Sequence, residues 1–536
     1  MKSNLYFTAL MILMLISCKD DSNKDKIPLT SKQESISSDD ERFRPFFHFT
    51  PEANWMNDPN GMFYLDGVWH LFFQYYPEGN QWGPMHWGHA VSTDLVNWQE
   101  EPIALSPDEN GYIFSGSAVV DHDNTSGFGD GATPPVIAIF TYHNPEKENT
   151  GSTDVESQAI AYSTDQGRTW IKYDENPVLE NPGILNFRDP KVIWDTMHKQ
   201  WVMALAADDR TYFYGSQNLK EWEFLSEFGS DVGAHDGVWE CPDLFPMTVE
   251  GTDTTKWVLL QNLNPGGPNG GSATQYFIGD FNGREFMLDK AFRDELNGRE
   301  AVWLDQGMDN YATVTWDNAP EGRRVSLGWM SNWLYAQEVP TKKWRSSMTI
   351  ARDLSLVATD EGYRLKTLPV KELDEFITDR IQKQDLELNG LTTLLTKNEM
   401  DLSSSVIDME LSGLTDASYV FLLSNEVGDT LRFGLVNTDT SIFIDRSKSG
   451  IIDFSGDFTS DITRAPLAAP IEKLSFKLVL DKTSMELFYN DGEEALTQIF
   501  FPHSPFTKFE LQIPDSNRVR SSFEAALIQT DKKKNP

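Results

Sequence analysis

Cysteine is nearly missing from this chain. Its 536 residues hold two, Cys18 and Cys241, too few for a disulfide framework or a cysteine-ligated zinc site. Cations are scarce as well: 45 Lys and Arg stand against 82 Asp and Glu, a formal net charge of −37. A polyanion of that size repels a phosphate backbone, which argues against nucleic acid as a partner. From Phe46 onward no long segment carries the 3.6-residue period of a helix. Tryptophan is absent after Trp344 although all 16 lie between Trp55 and Trp344, and His503 alone of nine histidines lies beyond that point. What is present excludes disorder: 39% hydrophobic and 12% aromatic residues are enough for real cores. The length implies two or more domains, and the uneven tryptophan places the chemistry in the first.

The N-terminus reads as an address. Lys2 precedes the apolar run Leu5 to Ile16, which is too short to span a bilayer comfortably and fits the core of a signal peptide over residues 1–17. The run stops at Leu15-Ile16-Ser17-Cys18. This resembles the bacterial lipobox, whose cysteine is lipidated and becomes the mature N-terminus; an ordinary secretory signal with an incidental cysteine is the alternative. Lys19-Asp20-Asp21 resembles the acidic signal that sends Bacteroidetes lipoproteins to the cell surface. The resemblance implies a lipoprotein anchored at Cys18 in the outer membrane and facing outward, with a periplasmic orientation as the alternative. Residues 18–43 are polar and charged, as a flexible tether would be.

The next segment repeats. Phe63-Tyr64-Leu65 and Val68 to Phe73 flank Asp66-Gly67, a hairpin signal. Ser92-Thr93-Asp94-Leu95-Val96-Asn97-Trp98 returns as Ser163-Thr164-Asp165 to Trp170, and in degenerate form as Ser216 to Trp222 and Gly279 to Phe286. The steps between the motif ends, 72, 52 and 64 residues, each fit one four-stranded blade with its loops. With a last unit around Tyr311 to Leu356, the pattern predicts an all-β fold, a five-bladed β-propeller over 44–358; a β-sandwich with coincidental repeats is the competing reading. Residues 359–385, with a short helical pattern from Val370 to Ile381, read as a linker. Alternating strands such as Phe421-Leu422-Leu423 and Ile442-Phe443-Ile444 make 386–531 a β-sandwich, and 532–536 a solvated tail.

Three acids sit upstream of repeat tryptophans, where the innermost strand of a blade belongs. They are Asp58 in Trp55-Met56-Asn57-Asp58-Pro59, Asp189 in Phe187-Arg188-Asp189-Pro190, and Glu240 in Trp239-Glu240-Cys241-Pro242. Each is set among aromatics and prolines, a poor place for a merely solvating charge. Taken singly, Asp58 could hold a turn, Asp189 pair with a cation and Glu240 sit satisfied at a rim. Inner strands converge on the central channel, however, and two carboxylates flanking a bond are what glycoside hydrolysis needs: one attacks and the other protonates the leaving oxygen.

These strings resemble the signature of glycoside hydrolase family 32, the invertases, levanases, inulinases and related β-fructofuranosidases. Phe114-Ser115-Gly116-Ser117, Gln74, Trp82-Gly83, Asp309-Asn310-Tyr311-Ala312 and Gly328 to Trp333 fit the same family. Ile350-Ala351-Arg352-Asp353-Leu354 departs from its usual Pro-Arg-Glu. The resemblance implies that Asp58 is the nucleophile, Glu240 the acid/base, and Asp189 the group that holds fructosyl hydroxyls. It implies sugar contacts at Trp55, Asn57, Gln74, Trp82, Phe114, Ser115, Arg188 and Trp333, with Trp329 left to the core. Burial and a neighbouring carboxylate would keep Glu240 protonated, with the two carboxyl groups about 5–5.5 Å apart in a retaining enzyme. The substrate would be a fructan, levan or inulin, or sucrose.

No cofactor is expected. His86-x-x-His89 lacks the spacing of a helical zinc pair, and Gly266 to Gly271, a flexible loop that could rim the pocket, lacks the Lys-Ser/Thr of a phosphate loop. Residues 143–156 read as loop. Cys241 reads as a packing residue, since no base adjoins it. Four alternatives stay open at this level: a fructosyltransferase, an endo-acting levanase, an inverting five-bladed hydrolase, and an inactive glycan-binding lipoprotein.

Overall fold

The Ser-Thr-Asp motif is a turn that its own side chains build. Ser92 Oγ accepts the Leu95 amide at 2.8 Å, and Asp94 Oδ1 accepts those of Val96 and Asn97 at 2.9 and 2.6 Å. Ser163 Oγ does the same for Gly167 N and Ser216 Oγ for Leu219 N. In the fourth copy Asn282 takes over, accepting from Arg284 N and Glu285 N. The computed structural model describes residues 41–530 apart from 132 and 361. In it each of these turns joins the third strand of a blade to the fourth.

Five blades result, each built on four antiparallel strands, with Trp344–Arg345 added in parallel to the first and Ser347–Met348 added to the fifth. Their inner strands are Asn54–Leu65, Tyr112–Val120, Phe187–Asp195, Val238–Thr248 and Tyr311–Thr315. Each inner strand lies against the next, and the fifth returns to the first, where Tyr64 N donates to Asp317 O at 3.0 Å and Phe63 bridges Asp317. The ring is closed, as the repeats predict, and has no free inner edge. The Asp66-Gly67 hairpin forms in the expected register, Leu65 opposite Val68, with both turn residues at positive φ. Two six-stranded antiparallel sheets follow as a sandwich, its core filled by Leu395, Phe421, Phe433, Leu478 and Phe509.

The structure differs from the sequence reading at three places outside the site. Residues 359–385 are not a linker. Arg352–Thr359 and Gly362–Pro369 finish blade five, Lys371–Phe376 is a 3₁₀ turn, and Ile377–Leu388 is an edge strand paired with Val519–Ile528. Two register shifts, with Asp379 and Asp385 at positive φ, break that strand's two-residue period; its charged, helix-favouring residues hide it in the sequence. Residues 143–156 are not all loop: Pro145–Asn149 is a short helix capped by the Asn144 side chain. Of the predicted tether, residues 41–43 are docked, since Phe43 is buried edge-on against Phe501. Cys18, the apolar run before it and the tail 532–536 lie outside the described residues. Among the described residues no helix is long and apolar enough to cross a membrane.

The domains meet through apolar contacts, among them Phe47, Ile350, Val479 and Phe488, and through buried ions. His48 lies between Asp481 at 2.9 Å and Glu486 at 2.8 Å. Arg352, from the segment that departs from the family pattern, pairs with Glu486 and with Asp305 at 2.9 Å. Arg446 pairs with Asp309 at 2.8 Å. Every one of these charges is satisfied, which is the condition for tolerating ions in so dry a place.

Candidate active site

All five inner strands carry a register shift, and in every blade it falls beside the site: between Met56 and Pro59, Ile113 and Gly116, Glu240 and Asp243, and Tyr311 and Val314, and in blade three opposite Ala204 to Ala206. A bulge re-aims a side chain that a regular strand would turn into the sheet. Asp189 (φ 64), Cys241 (φ 44) and Ala312 (φ 53) take left-handed conformations there, strain of the kind that collects at functional sites. Gly116 is required by close approach, since a Cβ at that position would stand 2.0 Å from Ile139 O.

The result is a pocket of about 370 Å³ ringed by residues of all five blades. Asn57, Asp58, Gln74 and Trp82 come from the first, Phe114 and Ser115 from the second, Arg188 and Asp189 from the third, Glu240 from the fourth and Trp333 from the fifth. Asp58 accepts from Ser115 Oγ at 2.8 Å and from Asn57 Nδ2 at 3.0 Å. Arg188 donates to Glu240 Oε1 at 3.0 Å, and the Tyr311 hydroxyl donates to Glu240 Oε2. Asp189 Oδ2 accepts the Cys241 amide at 3.0 Å. Trp82, 40% exposed, meets Phe114 edge-on at the mouth. Gln74 Nε2 is buried and has no partner among the described residues. It is a donor without an acceptor, in a wall where a hydroxyl would supply one.

Two models describe the chain: the glycosyl hydrolases family 32 N-terminal domain over residues 48–369 and the family 32 C-terminal domain over 372–526. A levanase of Bacillus subtilis is 45% identical over 476 residues, 88% of this chain and 68% of its own. An extracellular exo-inulinase of Aspergillus niger is 38% identical over 86% of this chain and 90% of its own. The crystal structure of an Aspergillus awamori exo-inulinase superposes with a TM-score of 0.83 at 34% identity, over 91% of this chain and 98% of that one. A fructofuranosidase of Schwanniomyces occidentalis complexed with fructose superposes at 0.82 and 33%, over 92% and 100%.

The chain belongs to glycoside hydrolase family 32.

Its three acids share one recessed pocket, and their proton affinities reflect that. Burial raises the pKa of Asp58, with the Glu240 charge adding and the Asn57 and Ser115 hydrogen bonds opposing. Asp189 is pushed up to about 8 by burial and by the Glu240 and Asp58 charges, against the pull of Arg188. Carboxylates so crowded cannot all ionise at neutral pH. The Cys241 thiol sits 3.5 Å from Asp189 Oδ2 and 3.7 Å from Asp58 Oδ2. Burial and those carboxylates raise it well above the ordinary thiol range, so in this family 32 site it stays a thiol.

Of the predicted sugar contacts, Trp55 alone does not reach the wall. It is fully buried, its indole donates to Asn57 Oδ1 at 2.8 Å, and its ring lies 5.7 Å behind that of Trp333. The register shift between Met56 and Pro59 breaks the strand's alternation, so that Asn57 and Asp58 both face the channel while Trp55, ahead of the shift, packs against Trp329 and Trp333. Trp329 is core, as expected. The glycine-rich loop stays off the pocket and buttresses Trp333 from behind, through Ser272 Oγ and the Asn332 contact to Gly270 O. His86 bonds a backbone carbonyl and His89 bonds His70. Among the described residues no cluster of three or more acids, histidines or cysteines is arranged to hold a metal.

Sequence reasoning missed His143, Glu148, Glu156, Asn186 and Tyr311 as site residues. Glu156 is buried and receives Phe187 N at 2.6 Å and Arg188 at 3.2 Å. Arg188 beside Asp189 was the only available signal that a second acid would be needed to balance the site.

Proposed function

We propose that this family 32 hydrolase is a retaining, exo-acting β-fructosidase that removes terminal fructosyl units from levan or inulin and also accepts sucrose. The observation that carries the reading is the convergence of Asp58, Asp189 and Glu240, from bulges of three different blades, in one pocket walled by all five. Its most similar relatives above are a levanase, exo-inulinases and a fructofuranosidase seen with fructose.

In the first step Asp58 attacks the anomeric carbon of the terminal unit. The bond to the leaving oxygen breaks as Glu240 delivers its proton, giving an ester between Asp58 and the fructosyl group. Ser115 and Asn57 hold the attacking carboxylate in one rotamer, which supplies orientation before the barrier is met. In the second step Glu240 takes a proton from water, the water oxygen bonds the anomeric carbon, and the ester breaks. Arg188 and Tyr311 fix Glu240 through both steps. Asp189, anchored by the Cys241 amide, is placed to hold sugar hydroxyls and to steady the positive charge that develops on the ring. A pocket encircled by five blades admits a chain end more easily than a chain middle, and a terminal unit already substituted at those hydroxyls would leave buried groups unpaired.

Early products on levan, inulin and sucrose test this. Fructose alone, released with retained anomeric configuration, is expected; a ladder of oligosaccharides at low conversion would refute exo-action. Asp58→Asn should abolish turnover with the circular dichroism of the parent, and substantial residual activity would remove Asp58 from the nucleophile role. The lipobox-like sequence supports cleavage before Cys18 and a lipid anchor there, with the enzyme held at the outer membrane. Cys18→Ala should release it or block maturation, and Cys18 recovered unmodified from membranes would rule the anchor out.

A further inference from the structure

The short helix Pro145–Asn149 places Glu148 on the rim of the pocket, with a side chain 63% exposed. From there an unbroken line of polar side-chain contacts runs inward. Glu148 Oε2 meets His143 Nε2 at 3.1 Å. On the other side of the ring, His143 Nδ1 meets Glu156 Oε1 at 3.3 Å. Glu156 meets Arg188 at 3.2 Å, and Arg188 meets Glu240 at 3.0 Å. The ring itself is held in plane: Phe114, which lines the pocket, stacks on it at 4.3 Å and 11°. A surface carboxylate is therefore connected to the acid/base through one imidazole stacked on Phe114, then through Glu156 and Arg188.

The buried part of this line, Glu156 with Arg188, is satisfied without Glu148. Asn186 Oδ1 already accepts from Arg188 at 2.7 Å, and the Phe187 amide already satisfies the other oxygen of Glu156. An exposed acid has no stability reason to be joined to a buried network. What distinguishes Glu148 is that it lines the same pocket as two other exposed side chains, Leu185 (55% exposed) and Trp82 (40% exposed). The exposed wall of the pocket is where the part of the substrate beyond the scissile bond must lie if the terminal unit sits against Asp58 and Asp189.

We propose that Glu148 and His143 sense the leaving group: Glu148 binds hydroxyls of the sugar beyond the scissile bond, and His143 transmits that engagement through Glu156 and Arg188 to the orientation of Glu240. His143 is thus a positioning residue, and the proposal rests on the β-fructosidase reading. Substrates with a sugar as leaving group gain a better-fixed acid than substrates without one, which makes the rim a determinant of specificity.

The test compares a linear fructo-oligosaccharide with methyl β-D-fructofuranoside, whose leaving oxygen also needs a proton but carries no ring. In Glu148→Gln and in His143→Phe, which keeps a ring beneath Phe114, kcat on the oligosaccharide relative to the methyl glycoside should fall about tenfold. The double variant should fall no further than either single one, because both act along one path. Equal losses on both substrates would make the cluster structural and overturn the proposal. So would an unchanged ratio, additive losses in the double variant, or a change in KM with kcat untouched. A wild-type enzyme that hydrolyses neither substrate would refute the β-fructosidase reading instead.

Discussion

His48 offers a pH-dependent test of how the two domains are held together. Its ring is buried between Asp481 and Glu486 of the sandwich. Burial alone would lower its pKa, but the two carboxylates outweigh that and raise it from 6.5 to about 9. Because the folded value lies above the unfolded one, the stabilisation is fully present below pH 6.5 and is lost as pH rises through about 9. A shift of that size is worth about 3 kcal/mol, at 1.36 kcal/mol per unit. The wild-type pH profile is not diagnostic by itself, since Asp189 titrates at about 8. The difference between wild type and His48→Gln cancels that contribution. Urea unfolding should be followed by tryptophan fluorescence, which reports the propeller because every tryptophan lies between Trp55 and Trp344. At pH 6 the variant should be the less stable protein, and between pH 6.5 and 10 the gap should narrow by about 3 kcal/mol. A gap that stays constant across this range would refute the charged clamp.

Three further outcomes follow from the same contacts. Tyr311→Phe removes a donor to Glu240 and should lower kcat about 10–100-fold, the value of a hydrogen bond to a charged group, with KM nearly unchanged; a loss confined to KM would place Tyr311 in binding instead. Cys241 should resist iodoacetamide at pH 8 in the folded enzyme because its thiol is held protonated, and rapid alkylation of Cys241, read by peptide mass, would contradict the assignment. A 44–370 fragment without the sandwich should be insoluble, because it exposes Phe47 and Ile350 and leaves His48 and Arg352 without their Asp481 and Glu486 partners; recovery of a soluble, fully active fragment would show that the sandwich is dispensable.

Much of the site was legible because its signals are local. Asp58, Asp189 and Glu240 each stand in a short string, and ten of the eleven predicted catalytic and sugar-contact residues line the pocket. Trp55 was misplaced because a string cannot show which face its first residue takes when a bulge follows two positions later. Glu156 and His143 were missed because nothing in their own neighbourhood announces Arg188, 32 residues from Glu156 in the chain.

The sequence by itself determined the blades. Their turns are closed by hydrogen bonds that span two to four residues, such as those of Ser92, Asp94 and Ser163, and interactions of that range are written wherever the residues are written. Tertiary structure alone decided which charges meet. Arg446 and Asp309 stand 137 residues apart, and Arg352 and Glu486 stand 134 apart; closing the ring and docking the sandwich chose these pairs. The same closure brought five bulges to one axis. A buried ion needs a partner more strongly than it needs any particular one, so the choice passes to the packing that removes water from around it.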